Sequence, residues 1–62
     1  MSTRDIVSNQ YRHAGGVARV EMDAAGHYFV TCSGCRSETY AAGMAPALGT
    51  LVRDHPGERI ND

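Results

Sequence analysis

Lysine and tryptophan are absent from this 62-residue sequence, phenylalanine occurs once, and cysteine only twice. No apolar run approaches the ~18 to 20 residues that a membrane-crossing helix needs, which excludes a helical membrane span. The N-terminal Met1-Ser-Thr-Arg-Asp lacks the apolar region of a signal peptide, so the expected compartment is the cytoplasm, where thiols stay reduced. A concentrated basic patch is also lacking. The six basic residues, all Arg (Arg4, Arg12, Arg19, Arg36, Arg53, Arg59), are spread along the chain and leave a net charge of −1. Phosphate neutralisation supplies most nucleic-acid affinity. The charge therefore weighs against a dedicated DNA or RNA binder, unless folding gathers Arg4, Arg12 and Arg19. No repeat, low-complexity tract or domain boundary interrupts residues 1–62, which read as a single domain.

What the chain does contain is modest. Hydrophobic residues make up 42%, but many are Ala, which adds little buried area. A chain of this length buries only roughly 60% of its unfolded surface. A staple is therefore expected: a metal, a disulfide or a partner subunit.

Residues 17–22 (Val-Ala-Arg-Val-Glu-Met) alternate, with Ala18, Val20 and Met22 on one face, as a half-buried strand requires. Asp23-Ala-Ala-Gly26 reads as a four-residue turn, and residues 27–32 as the return strand. That register opposes Met22 with His27 and Val20 with Phe29, and turns Tyr28, Val30 and Cys32 to the other face. Ile6-Val7 begins an additional short strand or arm, Gly15-Gly16 a turn, and Arg36–Tyr40 a third strand or an irregular link. Residues 41–54 read as a helix that becomes regular near Ala45, because Pro46 fits only a first turn. Met44, Leu48, Leu51, Val52 and His55 draw its apolar stripe, and Ala47, Thr50, Arg53 and Asp54 its exposed face. Pro56-Gly57 ends it. The fold class expected is small α+β, a β-hairpin plus one C-terminal helix. Residues 1–5 and 58–62 are expected to be mobile.

Chemistry concentrates in Cys32-Ser-Gly-Cys35 and in His55. Two thiols two residues apart with glycine between them can turn both sulfurs toward one tetrahedral zinc ion. His55 lies on the inward stripe at the helix end and is the third candidate ligand. The fourth is open, because a second His three to five residues after the first is missing. His13 qualifies if residues 6–13 fold back onto the hairpin, and Asp54 or Glu58 offers an oxygen. His27 sits roughly 16 Å along a strand from Cys32 and on the opposite face. A redox pair is the competing reading of Cys32 and Cys35, but such pairs stand at helix N-termini, where the thiolate is stabilised. Ser33 lies beside Cys35 without a motif that frames a hydrolase nucleophile.

Cys32-Ser-Gly-Cys35, entered from a hairpin and followed by an Ala-rich helix ending in His55, resembles the small zinc-finger-like proteins of actinobacteria and their phages or plasmids. The Arg-rich, Ala- and Gly-rich composition fits such a GC-rich source. The resemblance covers residues 17–57 and implies a ββα zinc-finger-like fold and a bound zinc. The expected function is a non-enzymatic, zinc-stabilised interaction module for a protein or nucleic-acid partner. The alternatives are a thiol-redox protein using Cys32 and Cys35, or a metal-free homodimer joined through the hairpin edge.

Overall fold

The computed structural model describes residues 4–60. Expectations about residues 1–3 and 61–62 lie outside the described residues. The fold is small α+β: a five-stranded antiparallel sheet carrying one C-terminal helix on one face. The strands are β1 (Asp5–Ile6), β2 (Tyr11–His13), β3 (Gly16–Met22), β4 (Tyr28–Cys32) and β5 (Ser37–Ala41), followed by α1 (Met44–Asp54). The sheet order is β1-β3-β4-β5, and β2 shares with β1 the same edge of β3.

The N-terminal segment thus folds back along the hairpin as one interrupted strand. Residues 7–10 bulge outward opposite Arg19 and Val20. There Ser8 Oγ accepts the Val20 amide at 2.8 Å, and Val7 donates to the Val20 carbonyl at 3.0 Å. A two-residue turn, Ala14-Gly15, joins β2 to β3 with φ of 53° and 82°, the left-handed geometry that matches strand twist.

The β3–β4 hairpin has a register different from the one expected. Met22 opposes Tyr28 and Val20 opposes Val30, so the loop holds five residues rather than four. The cause is Asp23. Its Oδ1 accepts the amides of Ala25 (3.0 Å) and His27 (2.8 Å), while its own amide donates to the His27 carbonyl at 3.0 Å. His27 is thereby drawn into the turn. One added loop residue inverts the facing of the whole return strand. Val30 and Cys32, rather than Phe29, join Ala18 and Val20 on the buried face.

Of the expected Arg36–Tyr40, the strand is β5 from Ser37 to Ala41, pairing Cys32 with Ser37 and Tyr28 with Ala41, while Arg36 belongs to the preceding turn. The helix begins at Met44, close to its expected regular start, with Pro46 in the first turn where an amide has no helical partner. Its inward stripe is Met44, Ala47, Leu51 and His55. Ala47 is fully buried rather than exposed, whereas Leu48 and Val52 are 40% and 66% exposed. A single helix laid on a sheet buries only one narrow stripe, and the small Ala47 side chain lets the backbones approach. The core is correspondingly lean: Ala18, Val20, Val30, Cys32, Ala41, Ala47 and Leu51, with Val7, Tyr11, Tyr28 and Met44 packed around it.

After the helix, residues 58–60 run antiparallel beside β2. Arg12 donates to the Glu58 carbonyl at 2.9 Å, Ile60 donates to the Gln10 carbonyl at 2.8 Å, and Tyr11 faces Arg59. That part of the tail, expected to be mobile on composition, is tied by its backbone. Both edges of the β3–β4 hairpin are also occupied, by β1 and β2 on one side and β5 on the other. The hairpin edge expected to join a homodimer is thus already paired within the chain.

Candidate metal centre

Three chain segments meet at one end of the sheet. The first is the β4–β5 turn. Cys32 closes β4 and points into the core, where it is 2% exposed. The Cys35 amide bends back to donate to Cys32 Sγ at 3.3 Å, and Arg36, with φ of 54°, completes the reversal. Ser33 clamps this turn to the sheet: its amide donates to the Val17 carbonyl at 3.0 Å, and its Oγ accepts the Val17 amide at 2.8 Å. Ser33 is a structural residue, not a free nucleophile.

The second segment is the β2–β3 turn, which carries His13. It lies flush against the cysteine turn because glycine occupies both sides of the contact. A Cβ on Gly16 would stand 2.1 Å from the Gly34 nitrogen, and one on Gly34 would stand 2.3 Å from the His13 carbonyl oxygen. Only two hydrogens separate the backbones there. His13 is carried to the cysteine turn as a result.

The third is the end of α1. His55 caps the helix, donating its amide to the Leu51 carbonyl at 3.0 Å, and its ring is buried at 7% exposure. Its Nδ1 stands 3.7 Å from Cys35 Sγ. The His13 ring meets it edge-on, with centroids 5.2 Å apart and planes at 89°. His13 Nδ1 lies 2.8 Å from the Pro56 carbonyl oxygen.

The ligand atoms of His13, Cys35 and His55 all fall within 4.8 Å of one another, close enough to hold a metal ion. Cys32, the first of the expected ligands, is not one of this group of three; it adjoins it through its Sγ, which accepts the Cys35 amide at 3.3 Å. Hydrogen bonding to Cys32 raises the Cys35 thiol pKa above its ordinary value, followed by desolvation and the charge on Cys32.

The remaining candidates lie elsewhere. His27 sits in the β3–β4 turn, at the other end of β4 from Cys32, with Nδ1 3.3 Å from Asp23 Oδ2 and its ring 5.9 Å from that of Tyr40. Asp54 is paired with Arg53 at 2.9 Å. Glu58 contributes its backbone carbonyl to Arg12. None of these three belongs to the close group found among the described residues. His13 is conditional on the N-terminal segment folding back; Gly15-Gly16 is the sequence signal for that fold-back, and the turn closes one residue earlier, at Ala14-Gly15, with Gly16 opening β3.

The arginines do not assemble a basic face. Arg4 binds Glu38, lies 3.5 Å from Glu21 and stacks over Phe29 at 4.0 Å, while Arg19 binds Glu21 at 2.8 Å and Gln10 at 3.2 Å. Arg12, opposite Val17, lies toward the other end of the same edge of β3 from Arg4, which precedes the Asp5–Met22 pair, so the three are not gathered into one cluster. No family model, curated protein or solved structure matches the chain.

Proposed function

We propose that the chain is a zinc-stabilised, non-enzymatic interaction module whose metal is held by Cys32, Cys35, His13 and His55. The observation that carries this reading is the convergence of His13, Cys35 and His55 within 4.8 Å from three separate segments. Ligand atoms on a tetrahedral zinc stand roughly 3.3 to 3.8 Å apart when the bonds are ~2.0 to 2.3 Å long. Cys35 Sγ and His55 Nδ1 stand at that spacing, 3.7 Å. His13 is tautomerically prepared. The Pro56 carbonyl only accepts, so the proton sits on Nδ1 and the lone pair on Nε2 is left for the metal. A donor set of two sulfurs and two imidazoles suits zinc in a closed, four-ligand site. Such a site leaves no open position for water or substrate, so its contribution is structural.

The chemistry matches the need. Seven small or medium residues make the buried core, without a fully buried aromatic side chain. Binding of a structural metal contributes folding free energy directly. Zinc here fastens the two hairpin turns and the helix end into one body. The likeness to small actinobacterial zinc-finger-like proteins is part of the same proposal and rests on Cys32, Cys35 and His55. Paired Arg–carboxylate groups on the outer sheet face favour a protein partner over nucleic acid.

The redox alternative needs an activated thiolate. The exposed thiol, Cys35, is instead shifted upward, and the pair lies in a strand–strand turn rather than at a helix N-terminus. The deciding experiment is native mass spectrometry in reducing buffer, with and without a strong chelator, with circular dichroism in parallel. The expected result is one zinc per chain and unfolding when it is removed. A folded, metal-free chain would overturn the proposal.

A further inference from the structure

We infer that the centre is a peroxide-responsive switch, in which Cys35 takes the oxidation, Cys32 closes a disulfide on it, and the chain thereby gives up its metal. The inference rests on the metal reading proposed above and adds a means of control to the same site. The two thiols stand in unequal surroundings. Cys32 is 2% exposed and belongs to the core, whereas Cys35, three residues later, is open to solvent. An oxidant arriving from solution therefore meets Cys35 first.

The second sulfur is within reach of the first. The Cys35 amide lies 3.3 Å from Cys32 Sγ, and hydrogen bonding to Cys32 is the largest influence on the Cys35 thiol. Rotation about the Cα–Cβ bond of Cys35 swings its sulfur from His55, 3.7 Å away, toward Cys32. An exposed thiol beside a resolving thiol is the arrangement in which a sulfenic acid condenses to a disulfide. Metal ligation deprotonates a thiol outright. The raised pKa of the free Cys35 thiol therefore does not protect the loaded centre.

The chemistry balances with hydrogen peroxide as the oxidant. The Cys35 thiolate attacks one peroxide oxygen, the O–O bond breaks, and Cys35 becomes a sulfenic acid as hydroxide leaves. The Cys32 thiolate then attacks the Cys35 sulfur, the S–O bond breaks, and a second hydroxide leaves. Both thiolates are oxidised to one disulfide, and one peroxide is reduced. Loss of the metal follows from the donor count. Only the imidazoles of His13 and His55 are left, where a structural zinc takes four donors. Nor does the new bond replace the lost staple. It closes a short loop inside the β4–β5 turn, and cross-links stabilise less as the closed loop shortens. The metal instead joins that turn to the β2–β3 turn and the end of α1. With a core of seven small or medium residues, the oxidised chain should unfold.

The test treats the full zinc-loaded chain with excess hydrogen peroxide, after its zinc content has been read by native mass spectrometry. Intact mass, a chromophoric zinc reporter and circular dichroism are followed together, and a parallel sample contains dimedone to trap sulfenic acid. The expected product is lighter by two hydrogens, with one zinc released per disulfide and the folded signal lost. Dithiothreitol with added zinc should restore all three, and peptide mapping should place the dimedone on Cys35. A chain that keeps both thiols while its methionines gain oxygen overturns the inference. So does a disulfide that leaves the zinc in place, or dimedone confined to Cys32. Those outcomes leave the metal reading standing. A chain without zinc before peroxide is added fails the metal reading itself, and the inference falls with it.

Discussion

Replacing Gly34 by alanine tests how the metal centre is assembled. The added Cβ would stand 2.3 Å from the His13 carbonyl oxygen and 2.5 Å from that of Ala14. Both are backbone atoms and cannot rotate aside. Ordinary contact requires the two turns to separate by roughly 1 Å, whereas a metal site tolerates displacements of only ~0.2 Å. His13 is therefore pulled off the ligand sphere of Cys35 and His55. The overpacking alone is expected to cost about 1–3 kcal/mol. At ~4–8 °C per kcal/mol for a domain of this size, the melting temperature should fall by ~5–20 °C in excess zinc. Competition with a chromophoric chelator should show zinc bound more than tenfold more weakly. Gly49→Ala is the matched control. Its Cβ meets nothing within 4 Å, so at low micromolar concentration helix propensity should stabilise the chain by up to ~1 kcal/mol. A Gly34→Ala chain that melts with the parent and holds zinc as tightly would refute the idea that glycine-to-glycine contact sets the site.

Other outcomes follow from the same geometry. His13→Ala should weaken zinc binding by more than the ~10–100-fold typical of lost outer-shell partners, while His27→Ala, in the opposite turn, should leave it unchanged in the same chelator assay. The raised Cys35 thiol pKa means a bound proton at neutral pH that zinc must displace. Zinc affinity should therefore rise with pH, by up to ~10-fold per unit for the proton that Cys35 releases; calorimetry in buffers of different ionisation enthalpy counts the protons, and a count near zero contradicts the Cys35 thiolate ligand. Ala14→Asn, at φ of 53° ahead of Gly15, should stabilise the turn by ~0.5–1 kcal/mol in thermal unfolding. Leu51→Ala, at 1% exposure, should cost ~2–5 kcal/mol and leave a chain this small largely unfolded by circular dichroism.

The sequence made some of this legible and hid the rest for physical reasons. Alternation over residues 17–22 marked β3, because one face is buried and the other wet. It could not mark the register, which depends on hydrogen bonds from the Asp23 carboxylate that hydropathy does not record. β5 exposes four of its five residues and so carries no alternation. The N-terminal strands are two and three residues long, interrupted at Ser8, and take their order from β3 rather than from their own composition. On α1 two apolar stripes lie side by side, and hydropathy merged Leu48 and Val52 with the buried one. Of the centre, Cys35 and His55 were recognisable from spacing and helix position. His13 depended on a fold-back that only the Gly15-Gly16 pair announced, one residue beyond the Ala14-Gly15 turn that makes it. The contact between Gly16 and Gly34, which makes that fold-back count, joins residues with no side chains to leave a pattern.

X-ray absorption at the zinc edge, on chain purified under reducing conditions, tests the central claim most directly. The account predicts one zinc per chain with two sulfurs near ~2.3 Å and two nitrogens near ~2.0–2.1 Å. A chain that folds without metal, or a zinc whose shell holds a single sulfur and oxygen donors, would contradict it.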